Sequence, residues 1–193
     1  MGNYKVVKQA INYELANFLF NYFLLKRESV AHMYNTNMTY DTGILGTFTD
    51  KQVLNTYSIY GDPAFDTLLM KMLPVMKRET GLDVIPTYSY ARIYSQDSFL
   101  KPHKDREECE ISCSMFLGGT KWDFFIENEK IDLNIGDMVI YEGKEVEHWR
   151  EPFKEESECV QAMLHYQREN NPLLNAFDGR GRIALPERYS KYA

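Results

Sequence analysis

The sequence has no long apolar run, and nothing in it approaches the roughly 20 residues a membrane-spanning helix requires, so it is read as free of membrane spans. Positive charge is in deficit: Lys and Arg total 22 against 28 Asp and Glu, a formal net charge of −6. Broad nucleic-acid binding needs a basic face for phosphates and is therefore disfavoured, although a small local patch stays open. Cysteine is scarce, with three residues. An odd count with no signal peptide points to buried thiols in a reducing compartment, the cytoplasm. Cys109 and Cys113 find no partners at the spacing of a zinc set. No repeat, low-complexity tract or linker interrupts residues 83–166. Instead, hydrophobic residues at 44% and aromatics at 14% of 193 residues describe one globular domain with a substantial core.

Residues 8–26 carry Ile11, Leu15, Phe18, Leu19, Tyr22 and Leu25 at helical spacing, the stripe of an outer helix packed on a sheet. Asn35, Asn37, Asp41, Thr42, Gly43, Gly46 and Thr47 read as loops, and residues 53–60 as a strand. Asp62 and Pro63 open a second helix with Phe65, Leu68, Leu69, Met72 and Leu73, which Gly81 stops. Pro74 either kinks that helix or divides it.

The middle of the chain reads as short strands separated by turns. Tyr88, Tyr90, Arg92 and Tyr94 alternate in one run, and a polar turn at 95–98 leads towards His103. Further strands lie at 111–117, 122–126, 130–133 and 138–141. Gly136-Asp137 and Glu142-Gly143-Lys144 form turns, and His148 opens the next strand. This spacing points to a barrel or double-sheet jelly roll, mainly β with flanking helices. The single domain then has a helical part at about 1–82, a β core at about 83–168 and a tail at 169–193. The tail mixes Gly179 and Gly181 with Arg180 and Arg182 and ends in Arg188, Tyr189, Lys191 and Tyr192. It is expected to lie on the surface; a flexible end, the arm of a homodimer and a flap over the active site are its other readings.

His103 and Asp105 are two apart, so on an extended strand they point the same way. His148, from a distant strand, completes two His and one carboxylate on one face. With the remaining positions open, this is the donor set of non-haem Fe(II) oxygenases. Binding needs neutral imidazoles and an ionised carboxylate, so affinity falls in acid.

With these features in order, the chain resembles the Fe(II)/2-oxoglutarate-dependent oxygenases with a double-stranded β-helix (cupin-like jelly-roll) core, above all their prolyl-hydroxylase-like branch. The resemblance rests on Tyr94 upstream of His103, on His103-x-Asp105, on the strand 111–117 and on Gly136-Asp137 ahead of His148. It implies that His103, Asp105 and His148 bind Fe(II) and that Tyr94 hydrogen-bonds 2-oxoglutarate. Dioxygen is the co-substrate, ascorbate a stimulant, and succinate and CO2 are released as an unidentified substrate is hydroxylated. A peptide side chain such as proline is the nearest analogy, with a small molecule or nucleobase open. Met115 and Phe116 are read as apolar walls, Phe116 standing where relatives can carry a Tyr. Tyr90 and Arg92 share the face of Tyr94, Trp149 is rim or core, and Arg106 is a solvated residue or points to substrate.

One departure stands out against that family. Relatives anchor the far carboxylate of 2-oxoglutarate with an Arg or Lys some way beyond the second His. Here that stretch, 154–160, is acidic with no base at the expected place. Arg150 is the first replacement, two residues from His148 on the same strand face. Arg92, in phase with Tyr94, is second; His165, in phase with Cys159, Gln161 and Met163, is third. Two rival readings use the same barrel: a cupin-like metal enzyme without 2-oxoglutarate, which usually adds a His or Glu ligand, and a catalytically silent binding protein.

Overall fold

The computed structural model describes residues 4–40 and 43–185. Strand β1 (Tyr4–Val7) precedes helix α1 (Tyr13–Asn35), and strand β2 (Tyr57–Tyr60) precedes helix α2 (Pro63–Thr80). Asn12 caps α1 by accepting the Leu15 amide at 3.0 Å, and Asp62 caps α2 through the Ala64 amide at 2.9 Å. Gly81 ends α2 in the left-handed region at φ 70°. Pro74 lies inside α2 without dividing it. The β core follows as β3 (Val84–Tyr94), β4 (Leu100–His103), β5 (Ile111–Gly119), β6 (Phe124–Ile126), β7 (Glu129–Ile131), β8 (Met138–Tyr141), β9 (His148–Arg150) and β10 (Cys159–Arg168).

The strands form two antiparallel sheets. The larger runs β1-β8-β5-β10-β3-β2 and the smaller β4-β9-β6-β7. Two-residue alternation sorts the large sheet's side chains. Ala91 and Ile93 of β3, Cys113, Met115 and Leu117 of β5, and Ala162 and Leu164 of β10 join one apolar cluster with Leu19 and Phe23 of α1 and Phe65, Leu69 and Met76 of α2. Their neighbours Tyr94, Phe116, Tyr141 and Cys159 point the other way, into a second cluster shared with Leu100, Phe124, Ile126 and Ile131 of the small sheet. The functional residues open from this inter-sheet core.

Several expectations are corrected. The N-terminal part also holds a strand outside the expected elements, β1, which extends the large sheet by pairing with β8. The helical stripe holds in part: Ile11 and Leu19 are buried and Leu15 and Tyr22 pack against the core, whereas Phe18 and Leu25 are exposed and Ala16, Phe23 and Val30 are buried in addition. The strand expected at 53–60 begins only at Tyr57, because Asn55 turns the chain at φ 57°. Met115 faces the helices and is no wall of the inter-sheet space. The tail up to residue 185 is held down. Arg180 is buried and ion-paired to Asp66 at 2.8 Å, and Ala184 N–H donates to the same carboxylate at 2.7 Å. Asp41, Thr42, Arg188, Tyr189, Lys191 and Tyr192 lie outside the described residues.

Candidate active site

His103 ends β4 and His148 begins β9, and the two are register partners across an antiparallel pair. That pairing brings residues far apart in the chain side by side, with ring centroids 4.3 Å apart. Asp105 follows in the loop, its amide donating to the Gly143 carbonyl at 2.9 Å. Its Oδ1 stands 3.7 Å from His103 Nε2 and 3.5 Å from His148 Nε2. Donors on one metal with bonds near 2.1 Å sit about 3 Å apart, so the three are close to ligating separation.

Each imidazole faces its own backbone through Nδ1. That of His103 is 2.9 Å from the Lys101 carbonyl, and that of His148 is 3.2 Å from the Val146 carbonyl. A carbonyl only accepts, which assigns the proton to Nδ1 and leaves Nε2 a bare lone pair directed at Asp105. Burial pushes the Asp105 carboxyl up, but the His148 contact and the neighbouring imidazoles outweigh it and hold it at about 2. Burial, then His148, pushes His103 below its usual value. Carboxylate ionised and imidazole neutral is the state a metal needs. Ser112 Oγ donates to Asp105 Oδ2 at 3.1 Å. Gly143 leaves room for that carboxylate, since a Cβ there would lie 2.4 Å from Oδ2.

The triad opens on a cavity of about 390 Å³ that also receives Tyr94, Arg92, Arg150 and His165. Arg150, 2% exposed, leaves β9 on the same side as His148. Its guanidinium lies 4.7 Å from the Phe124 ring, 5.1 Å from Trp122 and 6.0 Å from Tyr94, and it donates to the Trp122 carbonyl. Among the described residues it has no carboxylate partner. Arg92 contacts the Tyr94 ring at 5.5 Å and is already paired with Asp50 at 2.6 Å. His165 is buried, with Nδ1 2.8 Å from Ser112 Oγ, and burial lowers its pKa to about 4. It is thus a neutral ring at pH 7 and a poor anion anchor. The Tyr94 hydroxyl makes no hydrogen bond among the described residues.

Other residues fall in place around the cavity. Phe116 lines the inter-sheet core, and Trp149 stacks on Phe125 at 5.5 Å, away from the triad. Arg106 reaches the cavity edge above Tyr88 at 4.7 Å and is gripped by tail residue Asp178 at 2.9 and 2.6 Å. Sequence reasoning missed Asp50, Gln52, Lys104, Ser112 and Gly143 at this site. Gln52, from the loop before β2, places its amide nitrogen 3.4 Å from His103 Nε2. Only Gly143 carried a sequence signal, as a turn residue.

No family model and no curated protein matches the chain. Solved structures do. A prolyl-4-hydroxylase from Pseudomonas putida is 13% identical with a TM-score of 0.60, over 86% of this chain and 93% of that one. HygX from Streptomyces hygroscopicus, solved with nickel, 2-oxoglutarate and hygromycin B, is 10% identical with a TM-score of 0.60, over 87% and 84%. The viral collagen prolyl hydroxylase of Paramecium Bursaria Chlorella virus-1, as a 2-oxoglutarate complex, is 11% identical with a TM-score of 0.60, over 85% and 96%. The chain therefore has the jelly-roll fold of the Fe(II)/2-oxoglutarate oxygenases, and the fold it shares includes that of prolyl hydroxylases. Among the described residues, no helix is long and apolar enough to cross a membrane.

Proposed function

We propose that the protein is an Fe(II)- and 2-oxoglutarate-dependent dioxygenase that hydroxylates a C–H bond of its substrate and releases succinate and CO2. The carrying observation is Arg150, a buried cation without a carboxylate partner among the described residues, on the wall of the cavity that holds the His-Asp-His set. A buried unpaired charge is costly, and the far carboxylate of 2-oxoglutarate would complete it. His103, Asp105 and His148 hold the iron, and Tyr94 offers its free hydroxyl to the cofactor. Leu100, Phe124 and Tyr141 line the cavity around the triad and exclude water. Iron and 2-oxoglutarate, when bound, supply the oxidising chemistry; the protein binds, orients and shields. A fourth His or Glu, which a cupin-like enzyme without 2-oxoglutarate would usually add, does not join the set among the described residues.

The test is oxygen-dependent conversion of 2-oxoglutarate to succinate by protein with Fe(II) and ascorbate, with no substrate added. Slow succinate formation that disappears in Asp105→Ala is expected. Iron-loaded protein that makes no succinate above the Asp105→Ala level contradicts the proposal.

A further inference from the structure

The lip of the cavity that carries Asp50, Gln52, Tyr90 and Arg92 is rich in hydrogen-bond donors. Asp50 is the one carboxylate among these four residues. Its Oδ1 accepts the amides of Gln52 at 2.7 Å and Val53 at 3.3 Å. Its Oδ2 takes Arg92 at 2.6 Å, Ser58 at 3.3 Å and the Tyr90 hydroxyl. Burial pushes Asp50 up, but Arg92 and these donors prevail and keep it ionised below its usual range.

The donors, by contrast, are in excess. Arg92 spends Nη2 alone, on Asp50, the Gln52 side-chain oxygen at 3.1 Å and the Tyr90 hydroxyl at 3.4 Å. Its Nε is fully buried with no partner, the one such side-chain atom among the described residues. Its Nη1 makes no hydrogen bond either. Gln52 has its oxygen tied to Arg92 at 3.1 Å and its amide nitrogen 3.4 Å from His103 Nε2, the atom that would ligate the metal, so a bound metal would release that N–H2 to face the site. Lys104 lines the same cavity and has no ion-pair partner among the described residues. A buried donor left unmade costs about 1–3 kcal/mol, so the lip is arranged for a ligand that brings acceptors and negative charge.

From this we infer that the substrate is a small carboxylic acid, whose carboxylate is received by Arg92 and Gln52 with Lys104 at the rim. The cavity of about 390 Å³ is of small-molecule size. The inference rests on the function proposed above, in which Arg150 takes 2-oxoglutarate and leaves Arg92 for the second ligand. A guanidinium fork suits a carboxylate better than an ammonium does, and Asp50 keeps the fork oriented.

The test uses protein loaded anaerobically with Fe(II) and saturated with 2-oxoglutarate, read by its visible charge-transfer band. Two probe pools are added separately: the free L-amino acids with C2–C6 carboxylic acids, and the corresponding amides. The acid pool is expected to shift the band and the amide pool to leave it unchanged. Fractionating the acid pool then gives a single probe for affinity. In Arg92→Lys, which retains the charge opposite Asp50, that probe should bind about 10- to 100-fold more weakly, with 2-oxoglutarate affinity changed less than about twofold. Gln52→Leu, at an exposed loop position, should weaken the same probe independently. Equal response to acids and amides, no response to either, or wild-type affinity in both variants overturns the inference. Loss of 2-oxoglutarate itself in Arg92→Lys also overturns it, by making Arg92 the cofactor anchor. Failure of the wild type to form the band with 2-oxoglutarate is a separate result, and sinks the proposed function instead.

Discussion

Replacing Arg150 with Met separates what the residue does for the fold from what it does for a ligand. In the folded chain its guanidinium has one hydrogen-bond acceptor, the Trp122 carbonyl, and three aromatic faces. No carboxylate compensates it among the described residues. Met preserves most of the apolar stem and removes the buried charge. The carbonyl loses a donor at about 1 kcal/mol, while relief of an unpaired buried cation works the other way. Unfolding stability without ligand should therefore change by no more than about 1 kcal/mol in either direction. Binding should behave differently. A ligand carboxylate facing Met is left unpaired, which costs about 2–5 kcal/mol or about 30- to 5,000-fold in Kd. Calorimetric titration of 2-oxoglutarate into metal-loaded wild type and Arg150→Met, beside urea melts of both without ligand, measures the two quantities. Unchanged affinity would refute the anchor. A large loss of stability without ligand would make Arg150 a structural residue.

Three further outcomes follow from the geometry. His165 is held near pKa 4 by burial, below the usual 6.5. The unfolded chain thus takes up a proton that the folded chain refuses, and stability present above about pH 6.5 is lost towards pH 4, by up to about 3 kcal/mol. Urea melts of metal-free protein across that window should show the slope, and His165→Asn should flatten it. Gly143→Ala puts a Cβ 2.4 Å from Asp105 Oδ2 and 2.6 Å from the Cys109 carbonyl. It should weaken metal binding about 10- to 100-fold, and metal affinity equal to wild type would count against the stated support of Asp105. Arg180→Met strands Asp66, whose side chain is 1% exposed, and should cost about 3–5 kcal/mol in a urea melt. It should also open 169–185 to protease, and a stable, protease-resistant variant would show that the pair does not fasten the tail.

Much of this site was legible in the sequence because strands write their faces in alternation. Tyr88, Tyr90, Arg92 and Tyr94 share one side of β3, as their spacing foretold, and all four reach the cavity. The Gly136-Asp137 turn also reads directly. Gly136 takes φ 85°, and the Asp137 carboxylate accepts the Gln9 and Asn134 amides. Loops carry no such period. Gln52 reaches His103 and Asp50 lines the same cavity, and only tertiary contact identifies them. The Asp66–Arg180 pair is equally silent, because a helix-face Asp and a Gly-flanked Arg look solvated until the tail folds back. In α1 the apolar residues outnumber the positions the sheet covers, so the stripe had more than one plausible phase. Phe18 and Leu25 fell on the uncovered side.

The proposed function requires His103, Asp105 and His148 to form an iron site that accepts 2-oxoglutarate. Anaerobic titration of Fe(II) and then 2-oxoglutarate, followed by visible absorption, measures both. One Fe(II) per chain and a weak charge-transfer band on adding 2-oxoglutarate are predicted, with the band absent in His103→Ala, Asp105→Ala and His148→Ala. An Asp105→Ala protein that retains both the iron and the band would contradict the assignment.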